Sequence, residues 1–315
     1  MEVMTVGDAI DIYQSVEEVR SARKNRKDTI VHNTFVKADE FFSVPPPPIK
    51  WLVQGIMEDK TFVVLGGEPK TSKSWLALEL GLSVASGTPA FGSEGFATNG
   101  QMRSVAMIML EDSQHNVYAR MRSLGRAKGM YEDDLAKLPM FFRFRRGLDL
   151  TNQDDIEWLI KSVKDSVPDC ALIIIDPMRN AHTAEENDSK GISMLCDNIR
   201  DVRDSTGATV LLTHHLRKPT SQDQDTPGNA LRGSGALYGA IDGLVGMVNR
   251  RQPEDVDLWR NNVYIRVKAG REAQPFQVVL RVQDGSDGRA CKAWWELSAI
   301  TPDEKKRKKS TVYKD

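Results

Sequence analysis

The sequence predicts an α/β protein whose mostly parallel central sheet is covered by helices on both faces. From Trp51 onward, short apolar runs rich in β-branched residues alternate with longer segments of helical periodicity. Strands that are apolar throughout are typical of parallel strands buried on both faces. After Gly233 the long helices give way to further strands, and this change predicts a C-terminal β-rich extension of the sheet.

The individual elements follow from hydrophobic periodicity and from glycines near the helix ends. Gly87, Gly129 and Gly207 stand where helix C-caps are expected. The predicted strands cover residues 61–65, 105–110, 141–144, 171–175 and 209–213, followed by 243–248, 262–269 and 276–282. The predicted helices cover residues 74–86, 115–128, 152–167 and 188–205.

Composition limits the domain organisation and the classes of function. The 315 residues include 43 Lys+Arg and 44 Asp+Glu, a formal net charge of −1, which argues against coating of nucleic acid by bulk positive charge. We expect an N-terminal arm with a short helix and a polyproline stretch (1–48), a core domain (49–300) and a disordered basic tail (301–315). Three scattered cysteines and the lack of a signal-peptide or membrane-spanning pattern predict a cytoplasmic protein without disulfides.

A phosphate-binding loop is predicted directly after the first strand of the core. The segment GGEPKTSKS (66–74) is close to G-x-x-x-x-G-K-[ST], with Ser72 in the place of the final glycine. Backbone N–H groups of such a loop and the following helix N-terminus attract phosphate. Lys73 is expected to reach the β- and γ-phosphates and Ser74 to bind Mg²⁺, whereas the Cβ of Ser72 crowds the loop. The predicted nucleotide-binding residues are Gly67, Pro69, Lys70, Thr71, Ser72, Lys73, Ser74 and Trp75.

Acidic residues follow two later strands, at the sheet edge where α/β proteins place their chemistry. Asp176 comes after ALIII and is predicted to hold Mg²⁺; the alternative is a turn residue before Pro177. Glu111 comes after VAMIML and is predicted to be the general base that polarises the attacking water; the alternative is a surface acid at a helix start. Asp112 suits that helix-capping role better.

Two adjacent histidines, His214 and His215, end the fifth strand. A neutral imidazole at this position could donate a hydrogen bond near the γ-phosphate and sense hydrolysis, and His215 is favoured over His214 for that role. The alternatives are a metal-ligand pair or a packed core histidine, but neighbouring strand residues point to opposite faces and rarely chelate one metal.

The order of these residues resembles the RecA-like ATPases, and within them the hexameric replicative helicases of the DnaB and plasmid RepA type. RepA-like AAA family ATPases are the closer branch, because they have histidine where DnaB-type enzymes have glutamine. The resemblance covers about residues 51–282. The matching stretches are LGGEPKTSKSWLALELGLSVASG, MIMLEDSQHNVYARMRSLG, LIIIDPMRNAHTAEEND, VLLTHHLRKP and LRGSGALYGAID.

The resemblance implies an ATP site, with Mg²⁺, shared between subunits. Lys73, Ser74, Glu111 and Asp176 keep the roles given above, and His215 takes the sensor position. Residues that would act on the neighbouring subunit's nucleotide are Arg232 in LRGSG and the pair Lys268 and Arg271 in VKAGRE, where the family has Lys-x-Arg. A simple salt bridge is the alternative role for Arg232.

The resemblance also implies partners and a function. The loop after His215 contains Arg217 and Lys218, which are candidates for DNA binding; a solvated surface loop is the alternative. The stretch 141–146 (FFRFRR) favours a strand with one buried face over base stacking. We expect a homo-oligomeric ring, a hexamer on this resemblance, that moves on single-stranded DNA and unwinds duplex with a replication initiator or loader. Alternatives are a recombination or regulatory ATPase without unwinding, and a nucleotide-binding scaffold.

Overall fold

The structure is a computed structural model that describes residues 37–43, 45, 48–69, 71–144, 147–182, 188–215, 235–249, 263–268, 277–284 and 290–298. The helices are α1 (Ala38–Ser43), α2 (Lys73–Ser86), α3 (Gln114–Ala127), α4 (Glu132–Leu135), α5 (Gln153–Ser166), α6 (Ser189–Thr206) and α7 (Gly235–Ala240). The strands are β1 (Trp51–Val53), β2 (Met57–Glu58), β3 (Phe62–Gly67), β4 (Ser104–Met109), β5 (Met140–Phe144), β6 (Cys170–Asp176), β7 (Thr209–His215), β8 (Gly243–Asn249), β9 (Val263–Lys268), β10 (Gln277–Asp284) and β11 (Ala290–Ser298).

The core is a seven-stranded sheet with the order β5-β4-β6-β7-β3-β8-β9. Its first six strands run parallel, and β9 pairs antiparallel with β8 at one edge. Every residue of β3, β4 and β6 is buried, as expected for strands covered on both faces. The predicted mostly parallel α/β fold is therefore confirmed, and the predicted strands and helices are found within about two residues of their expected bounds.

Helices cover both faces of this sheet and divide the core into two clusters. On one face α2 and α3 pack against the sheet, with Leu76, Leu80 and Leu124 among the buried residues. On the other face α5 and α6 bury Ile160 and Ile199 against it. Glycines at the helix ends adopt the left-handed conformation that was expected of C-caps: φ is 72° at Gly87, 76° at Gly129 and 71° at Gly207.

The C-terminal strands divide between two sheets. Strands β8 and β9 extend the central sheet, whereas β10 and β11 pair with each other as a separate antiparallel hairpin. This hairpin contributes Val278, Leu280 and Trp295 to the core cluster on the α2–α3 face. The Trp295 ring contacts Phe91 edge-to-face at 6.2 Å, so the hairpin is packed into the core of the domain.

Several short or distant elements were not predicted from the sequence. They are helix α1 with its exposed Phe41 and Phe42, the β1–β2 hairpin, α4, α7 and β11. The predicted helix near the N-terminus and the basic tail lie outside the described residues. The domain limits 1–48, 49–300 and 301–315 remain predictions.

The three cysteines are free thiols, as their spacing predicted. Burial raises the pKa of both Cys170 and Cys196 to about 11. In the part of the chain that the structure describes, none of the helices combines the length and the apolar character needed to cross a membrane.

Candidate nucleotide-binding site

A cleft of about 340 Å³ opens at the carboxyl ends of β3, β4, β6 and β7. Parallel strands bring these ends to one edge of the sheet, although they are far apart in sequence. The structure thereby brings together the phosphate loop, both predicted acids and the predicted sensor histidine. The cleft is lined by Thr71, Ser72, Lys73, Ser74, Trp75, Glu111, Asp112, Arg120, Asp176, Pro177 and His215.

The loop between β3 and α2 holds its lysine in a phosphate-free arrangement. The Lys73 Nζ donates to the carbonyl oxygens of Gly67 at 3.0 Å and Glu68 at 2.8 Å. Burial lowers the pKa of Lys73 to about 8, although the charges of Asp176, Glu111 and Glu68 oppose that shift. An anion in the cleft would supply the negative charge that a buried ammonium group lacks.

The backbone of the loop explains two of its sequence features. Ser72, directly before α2, has φ 64° and ψ 29°, a left-handed conformation that glycine adopts without strain. At Gly67 a Cβ would lie 2.6 Å from the Thr71 hydroxyl, so this position has no room for a side chain. Pro69 is exposed at the loop, and Lys70 lies outside the described residues.

Asp176 is buried, with 5% of its surface exposed, and two hydroxyl groups bond its carboxylate. Thr213 Oγ1 donates to Asp176 Oδ1, and Ser74 forms the other side-chain hydrogen bond. Burial raises the pKa of Asp176, and the two hydroxyl hydrogen bonds oppose that shift. Hydroxyl and carboxylate oxygens are ligands that Mg²⁺ prefers, so Ser74 and Asp176 fit the magnesium role predicted for them.

The two acids after β4 have different surroundings. Glu111 lines the cleft and is exposed. Asp112 was expected to cap the next helix, and this expectation is wrong: Ser113 is the N-cap of α3 and accepts a hydrogen bond from Asn116 N. Asp112 instead forms an ion pair with Arg120, because that arginine lies two turns into α3 and reaches back toward the cleft.

His215 ends β7 directly beside the phosphate loop, in register with Gly67 on β3. Its Nδ1 atom is buried and has no hydrogen-bond partner in the described structure. Burial lowers the pKa of His215, and the nearby Lys73 charge lowers it further, so the imidazole is neutral at pH 7. No group of three or more His, Cys, Asp or Glu side chains among the described residues could hold a metal ion, which weakens the metal-pair alternative.

Two cleft residues were not identified from the sequence. Arg120 lies with its guanidinium 5.6 Å from the centre of the Trp75 ring, and Thr213 bonds Asp176. Residues 112 and 120 share one side of a helical repeat, and this periodicity is a signal that could have linked Arg120 to the cleft. A buried threonine beside the histidines carried no comparable signal.

The remaining predicted residues are not brought to the cleft by the described structure. Arg217, Lys218, Arg232 and Arg271 lie outside the described residues. Lys268 ends strand β9, and its Cα pairs with Leu244 near the start of β8. Because β9 is antiparallel to β8, Lys268 lies toward the sheet edge opposite its own cleft.

The aromatic–arginine stretch has one packed face. Phe141 packs into the core on the α5–α6 side, and the Arg143 guanidinium lies 3.7 Å from the centre of the Trp158 ring. Phe142 and Phe144 are exposed on the other face. This alternation agrees with the preferred interpretation of the stretch as a strand.

Comparison with known proteins agrees with this geometry. Residues 26–221 match the family model described as an AAA domain. The chain belongs to this AAA domain family. Its fold is similar to an ATPase domain solved on its own, with a TM-score of 0.51 and 16% identity over 71% of this chain and 81% of that one. It is also similar to a DnaB-like replicative helicase studied with primase, with a TM-score of 0.56 and 16% identity over 91% of this chain and 75% of that one.

These likenesses confirm the resemblance drawn from the sequence. The chain is an AAA-type ATPase domain with the RecA-like fold of helicase ATPase domains. The AAA domain match begins at residue 26 and contains the phosphate loop, both strand-end acids and the histidine pair.

Proposed function

We propose that this AAA domain is the ATP-hydrolysing motor of a replicative-type helicase, which forms a ring and moves on single-stranded DNA. The observation that carries the proposal is the convergence of Lys73, Ser74, Glu111, Asp176 and His215 on one cleft. This is the set of a lysine, a metal-binding pair, a water-activating acid and a polar sensor that phosphoryl transfer from ATP requires.

Each residue has a defined task in ATP hydrolysis. Lys73 leaves its two carbonyl partners and binds the β- and γ-phosphates. Glu111 accepts a proton from the attacking water, which its exposed position allows. Mg²⁺ held by Ser74 and Asp176 would neutralise charge on the phosphate oxygens. Neutral His215 donates a hydrogen bond when the γ-phosphate is present and loses it after hydrolysis.

Assembly into a ring follows from what the cleft of one subunit lacks. A positive side chain that stabilises the transferred phosphate is expected from a neighbour, with Arg232, Lys268 and Arg271 as candidates. The position of Lys268 away from its own cleft supports action on another subunit. The fold likeness to a DnaB-like replicative helicase supports DNA unwinding as the output, with Arg217 and Lys218 as DNA contacts and a replication initiator or loader as partner.

The first prediction separates Glu111 from its neighbour Asp112. Glu111→Gln is expected to reduce the rate of phosphate release at least about 100-fold and to leave ATP affinity within about threefold, because the side chain acts on water rather than on the nucleotide. Phosphate release and the binding of fluorescent ATP are the measurements. Asp112→Asn is the matched control and is expected to retain most of the hydrolysis rate. An unchanged rate in Glu111→Gln would rule out the catalytic assignment.

Unwinding needs its own experiment. Forked DNA incubated with the chain and ATP should be separated into single strands, and electron micrographs with an ATP analogue and single-stranded DNA should contain rings. Hydrolysis without strand separation would favour the recombination or regulatory ATPase, and nucleotide binding without hydrolysis would favour the scaffold.

A further inference from the structure

We propose that Thr213 is a positioning residue that orients the Asp176 carboxylate for Mg²⁺ binding. This inference rests on the proposed function, because it concerns the metal that accompanies ATP. Thr213 is fully buried, with 0% of its surface exposed. Its hydroxyl Oγ1 donates to Oδ1 of Asp176.

The sheet places these two side chains side by side. Strands β6 and β7 are parallel neighbours, with Ile175 in register with Leu212, so Asp176 and Thr213 follow as the next pair. Threonine is β-branched and therefore stiff at χ1. A hydroxyl held in this way can fix the rotation of the carboxylate, and water cannot replace it at a fully buried position.

The bond divides the work between the two carboxylate oxygens. Ser74 and Thr213 both bond Asp176, but only Ser74 belongs to the phosphate loop and is expected to turn toward Mg²⁺ when nucleotide binds. Thr213 has no such second task, because it lies on β7 behind the acid. It therefore keeps one oxygen occupied and leaves the other available to the metal or to a water bound to the metal. Hydrogen bonds to metal-binding carboxylates commonly raise metal affinity about 10- to 100-fold.

The experiment compares nucleotide binding with and without the metal. Calorimetry measures the Kd of a non-hydrolysable ATP analogue in saturating Mg²⁺ and in EDTA, and the ratio of the two reports the contribution of the metal. Thr213→Val keeps the shape of threonine and removes its hydroxyl. We expect the ratio to fall about tenfold, with the Kd in EDTA unchanged within about twofold because the metal-free phosphates do not meet Thr213.

A second pair of variants protects the test against misfolding. Thr213→Ser and Thr213→Ala both lose the methyl group and differ only in the hydroxyl, so serine should retain the wild-type ratio and alanine should lose it. Equal ratios in serine and alanine would overturn the proposal. So would the finding that every variant without the hydroxyl is unfolded while Thr213→Ser folds, since the bond would then serve stability alone.

Failure of this inference can be told apart from failure of the proposed function. If the wild-type chain does not bind the analogue in Mg²⁺, the ATPase assignment is wrong. If the wild type binds in a Mg²⁺-dependent way and Thr213→Val behaves identically, only the positioning role is wrong.

Discussion

Ser72 adopts a backbone conformation that residues with a Cβ rarely occupy, with φ 64° and ψ 29°. Holding such a residue in the left-handed region costs about 1–2 kcal/mol. Ser72→Gly should remove that strain and, after the extra chain entropy of glycine in the unfolded state, raise the free energy of unfolding by about 0.5–1 kcal/mol. Urea denaturation of the nucleotide-free protein is the measurement.

Ser72→Ala is the matched control, because it removes the hydroxyl and keeps the Cβ. The hydroxyl makes no capping hydrogen bond to α2, so we expect alanine to leave stability within about 0.5 kcal/mol of the wild type. Equal stability of the glycine and alanine variants would show that the backbone at this position is not strained.

At the scale of single residues, local order in the sequence was informative and long-range partners were not. Lys73, Ser74 and Glu111 could be predicted because each stands at a defined distance from a strand end. The ion pair of Asp112 with Arg120 and the bond of Thr213 to Asp176 depend on how a helix and two strands are placed. No local pattern encodes that placement.

At the scale of secondary-structure elements, a buried ion pair joins the two helices that carry the cleft. Lys128 Nζ, just after α3, lies 3.0 Å from Glu79 Oε1 on α2 and also donates to Ser83 Oγ and to the carbonyl of Pro89. The same glutamate oxygen accepts from Phe91 N at 3.0 Å. The pair therefore ties α2, α3 and the turn after α2 together.

Removing one member of this pair should be costly. Lys128→Met leaves the buried Glu79 charge uncompensated and is expected to reduce the free energy of unfolding by about 3–5 kcal/mol. Adding Glu79→Gln should recover at least about 1 kcal/mol, because the amide oxygen can still accept from Phe91 N without a charge. Urea denaturation of both single variants and the double variant measures this coupling.

The exposed pair of Lys161 and Asp165 on α5 is the control for that measurement. Lys161→Met should change stability by less than about 0.5 kcal/mol, since solvent screens surface ion pairs. Additive effects of the Lys128 and Glu79 substitutions would contradict the coupling.

Elements were predictable where periodicity was strong. The parallel strands are apolar throughout and the main helices are amphipathic, so both stand out in the sequence. The β1–β2 hairpin has a three-residue and a two-residue strand, too short for any period to appear. Strand β11 alternates between the core and solvent and follows other strands without an intervening helix, so its residues resemble a loop.

At the scale of the whole molecule, the β10–β11 hairpin shares its core with the phosphate loop's helix. Trp295 is 4% exposed and belongs to the same cluster as Leu76 and Leu80 of α2. Trp295→Ala should therefore reduce the free energy of unfolding of the whole domain by about 3–5 kcal/mol and keep a single transition. Thermal unfolding followed by circular dichroism is the measurement.

Leu297→Ala is the control, because Leu297 lies on the same strand but is 47% exposed; its effect should stay within about 0.5 kcal/mol. A main transition that is unchanged in Trp295→Ala would mean that the hairpin unfolds as a separate unit.

The sheet order was the part of the architecture that the sequence could not supply. The phosphate-loop strand β3 lies between β7 and β8, and its next strand in the chain, β4, lies beyond β6 and β7. Which strands become neighbours is decided by how both helical layers fit over the sheet, and each strand is apolar enough to occupy several places. The separate pairing of β10 with β11 has the same origin.

One indole ring stands where the nucleotide is expected. Trp75 follows Ser74, lines the cleft and lies close to the Arg120 guanidinium. Emission from tryptophan is sensitive to nearby charge and to the loss of water, so ligand arrival at this position carries an optical signature native to the chain. Ligand selectivity and the kinetics of occupancy can therefore be followed by ultraviolet fluorescence without an attached dye, with Trp75→Phe as the blank for the five other tryptophans.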